Sequence, residues 1–107
     1  MSTYTPDKWI VVKLTKRDTG ETINKVLAGW YGGFAGSDSW KLNSGITKVD
    51  ERNDRFEFHG SSGSVYVCYK ACYGLTNLTA SMLNYWKTNS DKLDFEILEE
   101  YDVRPKH

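Results

Sequence analysis

An α+β domain is what this sequence predicts: an antiparallel sheet of about five strands, with one helix in the C-terminal half packed on one of its faces. Short segments with period-two alternation of apolar residues recur along the chain, bounded by Gly, Asn, Asp and Ser. One segment, after Gly74, switches to helical spacing. The chain has 107 residues, of which 39% are hydrophobic and 14% aromatic, enough for a core in a single domain spanning residues 1–107 and too short for two domains.

The first element is a hairpin. Lys8 to Thr15 reads as a strand with Ile10, Val12 and Leu14 on one side and Val11 and Lys13 on the other. Arg17-Asp18-Thr19-Gly20 supplies the turn, and Thr22 to Trp30 the returning strand. From Tyr31 to Gly45 the chain holds Gly32, Gly33, Gly36 and Gly45. Glycine at that density costs too much conformational entropy for a helix or a regular strand, so a long loop containing at most a short bridge is expected. A three-strand meander follows: Ile46 to Glu51, then Arg55 to His59 with Phe56 and Phe58 facing inward, then a strand from Val65 to Tyr69. Asn53-Asp54 and Gly60-Ser61-Ser62-Gly63 are its turns.

Leu75, Leu78, Met82 and Tyr85–Trp86 recur at helical spacing after an N-cap at Thr76 or Asn77, which predicts a helix over roughly 78–88. Leu93, Phe95 and Ile97 alternate with Asp94 and Glu96 in a last strand, with a bulge expected near Leu98 where the alternation slips.

Charge is balanced overall but not along the chain. The formal net charge is zero and the pI near 6.7, so no global attraction to nucleic acid or anionic lipid arises. Residues 1–48 carry seven basic and four acidic groups, residues 49–107 seven basic and ten acidic ones. Six of those acids lie between Asp91 and Asp102, a pattern that suits either a charged edge strand or an acidic recognition face. Met1 to Asp7 lacks a basic-then-apolar signal segment, and no apolar run reaches the roughly 18 residues of a membrane span. With only Cys68 and Cys72, free thiols in a reducing, cytoplasmic setting are expected.

Catalytic templates fail at nameable positions. Gly60-Ser61-Ser62-Gly63-Ser64 has its second glycine one residue too early for a nucleophile elbow, and a strand follows it where a helix is needed. The glycines of 29–36 lack the Lys-Ser/Thr ending of a phosphate loop and the spacing of a dinucleotide site. Cys68, Cys72 and His59 supply neither four zinc ligands nor an oriented nucleophile–base pair. The expectation is a non-enzymatic chain with no metal and no cofactor.

What remains is binding. Trp30, Tyr31, Phe34, Trp40 and Lys41 lie in or beside the glycine-rich loop, and long loops holding Trp and Tyr commonly anchor interfaces. Asp94, Glu96, Glu99 and Glu100 form a second, acidic candidate patch for a protein partner. The alternative is single-stranded nucleic acid, taken up by Trp9, Trp30, Tyr31, Trp40, Tyr66 and Tyr73 with Lys13, Arg17, Lys25, Lys41 and Lys48. An exposed edge strand also permits homodimerisation.

Ser39-Trp40-Lys41-Leu42-Asn43-Ser44-Gly45-Ile46, followed by Phe56-Glu57-Phe58-His59-Gly60-Ser61-Ser62-Gly63-Ser64-Val65-Tyr66, resembles the small uncharacterised accessory proteins that tailed bacteriophages encode. The resemblance is confined to these two stretches and transfers no functional residue. It implies an inhibitor or modulator that binds a bacterial host protein in the host cytoplasm.

Overall fold

The structure is a computed structural model that describes residues 2–32, 37–99 and 103. The candidate residues Phe34 and Glu100 lie outside the described residues. Eight strands and one α-helix follow in the order β1 (Thr3–Tyr4), β2 (Lys8–Lys16), β3 (Thr22–Trp30), β4 (Ser39–Leu42), β5 (Ile46–Glu51), β6 (Arg55–Gly60), β7 (Val65–Tyr69), α1 (Asn77–Asn89) and β8 (Leu93–Ile97). The class is α+β with the helix in the C-terminal half, as the periodicity predicts.

The strands divide into two sheets of four rather than one of five, in the orders β1-β7-β6-β5 and β4-β3-β2-β8. All pairs are antiparallel except β1 with β7. The meander and the first hairpin therefore stack face to face instead of joining edge to edge. Beyond the six strands that the alternation locates, the structure adds the two-residue β1 and the four-residue β4, both too short for alternation to register.

Trp9, Ile10, Val11 and Val12 are all at most 2% exposed, so β2 is covered on both faces. Toward the first sheet, Trp9, Val11, Val26 and Ala28 meet Phe56, Phe58, Tyr66 and Cys68. Toward the helix, Ile10, Val12, Leu14 and Leu27 meet Leu83. The layers are thus sheet, sheet, helix, with the second sheet in the middle.

Trp9 ties the two sheets together. Its ring lies 5.9 Å from Phe56, 5.4 Å from Phe58 and 4.8 Å, edge-on, from Tyr73. Its indole N–H donates to the Tyr69 carbonyl at 2.7 Å, so the one polar atom of the ring is satisfied inside the core.

The helix begins at a capping box. Thr79 N–H donates to Thr76 Oγ1 at 3.1 Å, and Thr76 N–H donates to Thr79 Oγ1 at 2.8 Å. Both threonines are 2% exposed because this end of the helix presses on β3. A Cβ on Gly29 would come within 3.0 Å of the Thr76 and Thr79 methyls, so glycine there permits the close approach. The buried line of the helix is Thr79 and Leu83 with Trp86 half-buried, while Tyr85 is 64% exposed. The stripe predicted through Leu75, Leu78, Met82 and Tyr85–Trp86 is met at Leu75 and Trp86, which pack on the core, and corrected at Tyr85. A search for apolar spacing passes over two buried threonines that face the sheet.

The last strand is an edge strand beside β2, as its charges suggest. The expected bulge at Leu98 is absent. Leu98 N–H continues the ladder to the Val11 carbonyl at 3.0 Å, and Leu98 packs on the core between the sheets. Leu93 and Phe95 pack on the core under the helix. Leu98, just past the end of β8, faces the opposite way from Leu93 and Phe95, which accounts for the apparent slip.

Between β4 and β5 the chain crosses from one sheet to the other at Asn43–Gly45. Asn43 is 3% exposed and forms a false rung on β3: its own N–H donates to the Val26 carbonyl at 3.0 Å, and its side-chain Oδ1 accepts from Val26 N–H at 2.8 Å. Gly45 has φ +136°, a conformation that favours glycine, and a Cβ there would lie 2.6 Å from Ile23 Cδ1, whose exposed side chain would have to move.

Candidate functional site

The β3–β4 connection carries the aromatic candidates, and the scaffold fixes its ends. Tyr31 N–H donates to Asp7 Oδ2 at 2.9 Å, and Gly32 N–H donates to Asp38 Oδ1 at 2.8 Å. In the register of β3 with β4, Trp30 lies opposite Ser39 and Gly29 opposite Trp40. Successive side chains on a strand point to opposite faces, so the candidates separate. Trp30 and Lys41 turn toward the first sheet. The Trp30 ring is edge-on to Tyr4 at 6.3 Å and its N–H donates to the Thr5 carbonyl at 3.0 Å, while the Lys41 ammonium lies 5.0 Å over the Tyr4 ring.

Trp40 turns the other way, toward the helix. Its ring is edge-on to Trp86 at 5.2 Å, and Trp86 in turn stacks on Phe95 at 6.3 Å. Trp40 stays 39% exposed and Tyr31 56% exposed, so these two present aromatic surface to solvent from a rigid support. Trp86 was absent from the sequence candidates, since its place in a helical apolar stripe marks it as core.

The acidic candidates occupy the opposite edge of the same sheet, because β4 and β8 are its two outer strands. Asp94 Oδ1 accepts from Arg17 Nε at 2.8 Å, and Arg17 Nη1 donates to the Asp91 carbonyl at 3.1 Å. Both partners of the ion pair are about half exposed or more, so it contributes roughly 0–1 kcal/mol. Glu96 lies opposite Lys13, and Glu99 is exposed. The two predicted patches are therefore separate surfaces.

Several residues of the nucleic-acid reading are committed elsewhere. Trp9 is 0% and Tyr66 2% exposed, inside the core. Arg17 pairs with Asp94, and Lys48 lies 3.7 Å from Asp50. Burial pushes the Tyr66 hydroxyl up to about 12, with smaller contributions from Tyr4 and Cys68. Of the six aromatics named for base stacking, Tyr31 and Trp40 are the ones described as exposed.

Cys68 is fully buried, and desolvation first, with Cys72 second, raises its thiol far above the range in which a thiolate forms. Cys72 is half-buried against the same core. His59 Nε2 lies 3.0 Å from Asp50 Oδ2 on the outer face of the first sheet. Among the described residues no group of three or more His, Cys, Asp or Glu stands close enough to hold a metal ion. No helix among them is long and apolar enough to cross a membrane.

The Asp50 carboxyl is held below its ordinary value of 3.8, chiefly by the hydrogen bond from His59; desolvation opposes this, and Lys48, the His59 charge and Arg52 add to the lowering. A depressed folded-state value means that the stabilisation is present above the unfolded-state value. It is lost as pH falls through the folded one. Acid titration of stability should therefore show a fall below about pH 4 that Asp50→Asn removes in part, measured by urea midpoints at successive pH values.

Compared with protein families, curated proteins and solved structures, the chain finds no match in any of the three.

Proposed function

We propose that this protein is a non-enzymatic protein-binding module whose contact surface centres on Trp40 and Tyr31. The observation that carries the reading is the Trp40 ring, 39% exposed yet held edge-on against Trp86. An aromatic side chain already fixed by its neighbour loses little entropy on binding, which is the property of an interface anchor. Tyr31 extends the surface, with its backbone pinned by Asp7. The acidic edge of Asp94, Glu96 and Glu99 forms a separate, steering surface for a basic partner. The resemblance to bacteriophage accessory proteins adds the kind of partner: a bacterial host protein, inhibited or redirected in the host cytoplasm.

The test is capture from bacterial lysate by the wild type and by the double variant Tyr31→Ala/Trp40→Ala. Each truncation of an anchor is expected to cost about 2 kcal/mol or more in affinity, so the double variant should lose its partner while its circular dichroism and unfolding midpoint stay close to wild type. A folded double variant that still retains the same partner would show that the contact surface lies elsewhere.

A further inference from the structure

The helix does not cover the whole of its face of the second sheet. Near the β2–β3 turn a cavity of about 370 Å³ remains, lined by Leu14, Lys16, Glu21, Thr22, Ile23, Lys25 and Leu93. That volume falls in the range of small-molecule sites. The register explains its composition. Leu14 lies opposite Ile23, Val12 opposite Lys25, and Lys16 opposite Leu93, so alternation places these side chains on one face. The floor is apolar: Leu14 is 8% exposed, and Ile23 is left 43% exposed above it.

The two lysines differ in setting. Lys25 is half-buried, next along its strand face to Ile23 and Leu27 and across from Val12. Lys16 is exposed, and its backbone N–H donates to the Glu21 carbonyl at 2.8 Å, which places the Glu21 carboxylate at the same end. Among the described residues, neither lysine takes part in an ion pair. Lys25 is thus a half-buried lysine beside an open apolar floor, with no carboxylate paired to its ammonium among the described residues. An anion carrying an apolar tail supplies both missing partners at once.

We propose that this cavity is a binding site for a small anion with an apolar tail, its head on Lys25 and its tail lying over Ile23 and Leu14 toward Leu93. Crossing from β3 to β8 covers two strand spacings, about 10 Å, which a medium-length acyl chain spans. The site is independent of the Trp40–Tyr31 surface. Ile23 is six residues from Gly29, the partner of Trp40, or about 20 Å along β3.

Titration of ¹⁵N-labelled protein with sodium decanoate, followed by amide chemical shifts, tests it. The expected result is saturable shifts at residues 14, 16, 22–25 and 93. Lys25→Gln should weaken binding about tenfold or more, the loss of one charge-assisted contact, and Lys25→Arg should retain most of it. Lys16→Gln should weaken it less than about threefold, because Glu21 already offsets the charge at that end. Ile23→Ser, at an exposed position that leaves the core intact, should weaken it as well. Four results would each overturn the proposal: no saturable shifts, shifts centred on Trp40 and Trp86 instead, equal binding by wild type and folded Lys25→Gln, or decylammonium binding as tightly as decanoate. Binding by an extended peptide with acidic and apolar residues but not by decanoate would likewise reject a small-molecule site and assign the cavity to a protein partner.

Discussion

Replacing Trp9 by alanine is expected to lower the unfolding free energy by about 3–5 kcal/mol, the range for large aromatic truncations in a close-packed core. Three causes act together. The indole is wholly buried between the two sheets, its contacts to Phe56, Phe58 and Tyr73 are lost, and the Tyr69 carbonyl loses its donor. Most small domains have a total stability of only about 5–15 kcal/mol, so the variant is expected to approach its unfolding threshold near body temperature. Trp9→Phe separates the causes. It keeps much of the apolar volume and loses the hydrogen bond, so it should cost markedly less. Urea denaturation followed by far-ultraviolet circular dichroism measures both, and equal midpoints for wild type and Trp9→Ala would refute the role assigned to the indole.

Asn43→Ala should be the second most damaging of the changes considered, by about 1–3 kcal/mol, the cost of leaving a buried backbone donor without its acceptor. The orphaned group is Val26 N–H, which faces Asn43 Oδ1 in the middle of a strand that is itself 0% exposed at that residue. Because a donor occupies that side, the amide orientation is fixed, and Nδ2 points into the interior without a protein partner among the described residues. Asn43→Asp tests the assignment from the other direction. It keeps the acceptor for Val26 but buries a carboxylate, and its penalty should shrink as pH is lowered enough to protonate the group. An aspartate variant equal in stability to wild type at neutral pH would contradict the buried environment described for this residue.

The legible parts of the fold were those where local chemistry and tertiary position agree. The first hairpin is one: Asp18 and Gly20 specify the turn, and the strands begin and end where the alternation does. The meander is another, because Phe56 and Phe58 lie on the face that alternation assigns them. The division into two sheets was not legible. Pairing across sheet edges leaves no mark on a single strand, and the uninterrupted burial of Trp9 to Val12 has meaning only once both covering layers are known. The helix face was legible only in part for a related reason: Leu75 and Trp86 pack on the core as the spacing expects, but Thr76 and Thr79 are buried through their packing on Gly29 and not through hydrophobicity.

The candidate site divides along the same line. The sequence singled out the aromatic and acidic residues by type. That Trp30 and Lys41 turn to one face while Trp40 turns to the other depends on the pairing of β4, a strand hidden within a glycine-rich stretch. The lysine-rimmed cavity left no sequence signal at all. Its residues come from three strands and the β2–β3 turn, and Lys25 reads as an ordinary surface charge until Val12 and Ile23 are placed beside it.

The central strand β2 has one further consequence, which concerns synthesis. Its partner on one side, β3, follows within a few residues, but its partner on the other, β8, pairs Glu96 with Lys13 from the far end of the chain. The layers that cover β2 are also made after it, apart from the two-residue β1. During translation the hairpin can close early, yet one apolar face waits for the meander, the other for α1, and the open edge of β2 for β8. At about 5–20 residues per second that interval lasts several seconds. For that time the segment Trp9–Val12 is a sticky ribbon with one unpaired edge, and the yield of native protein depends on what keeps nascent copies apart.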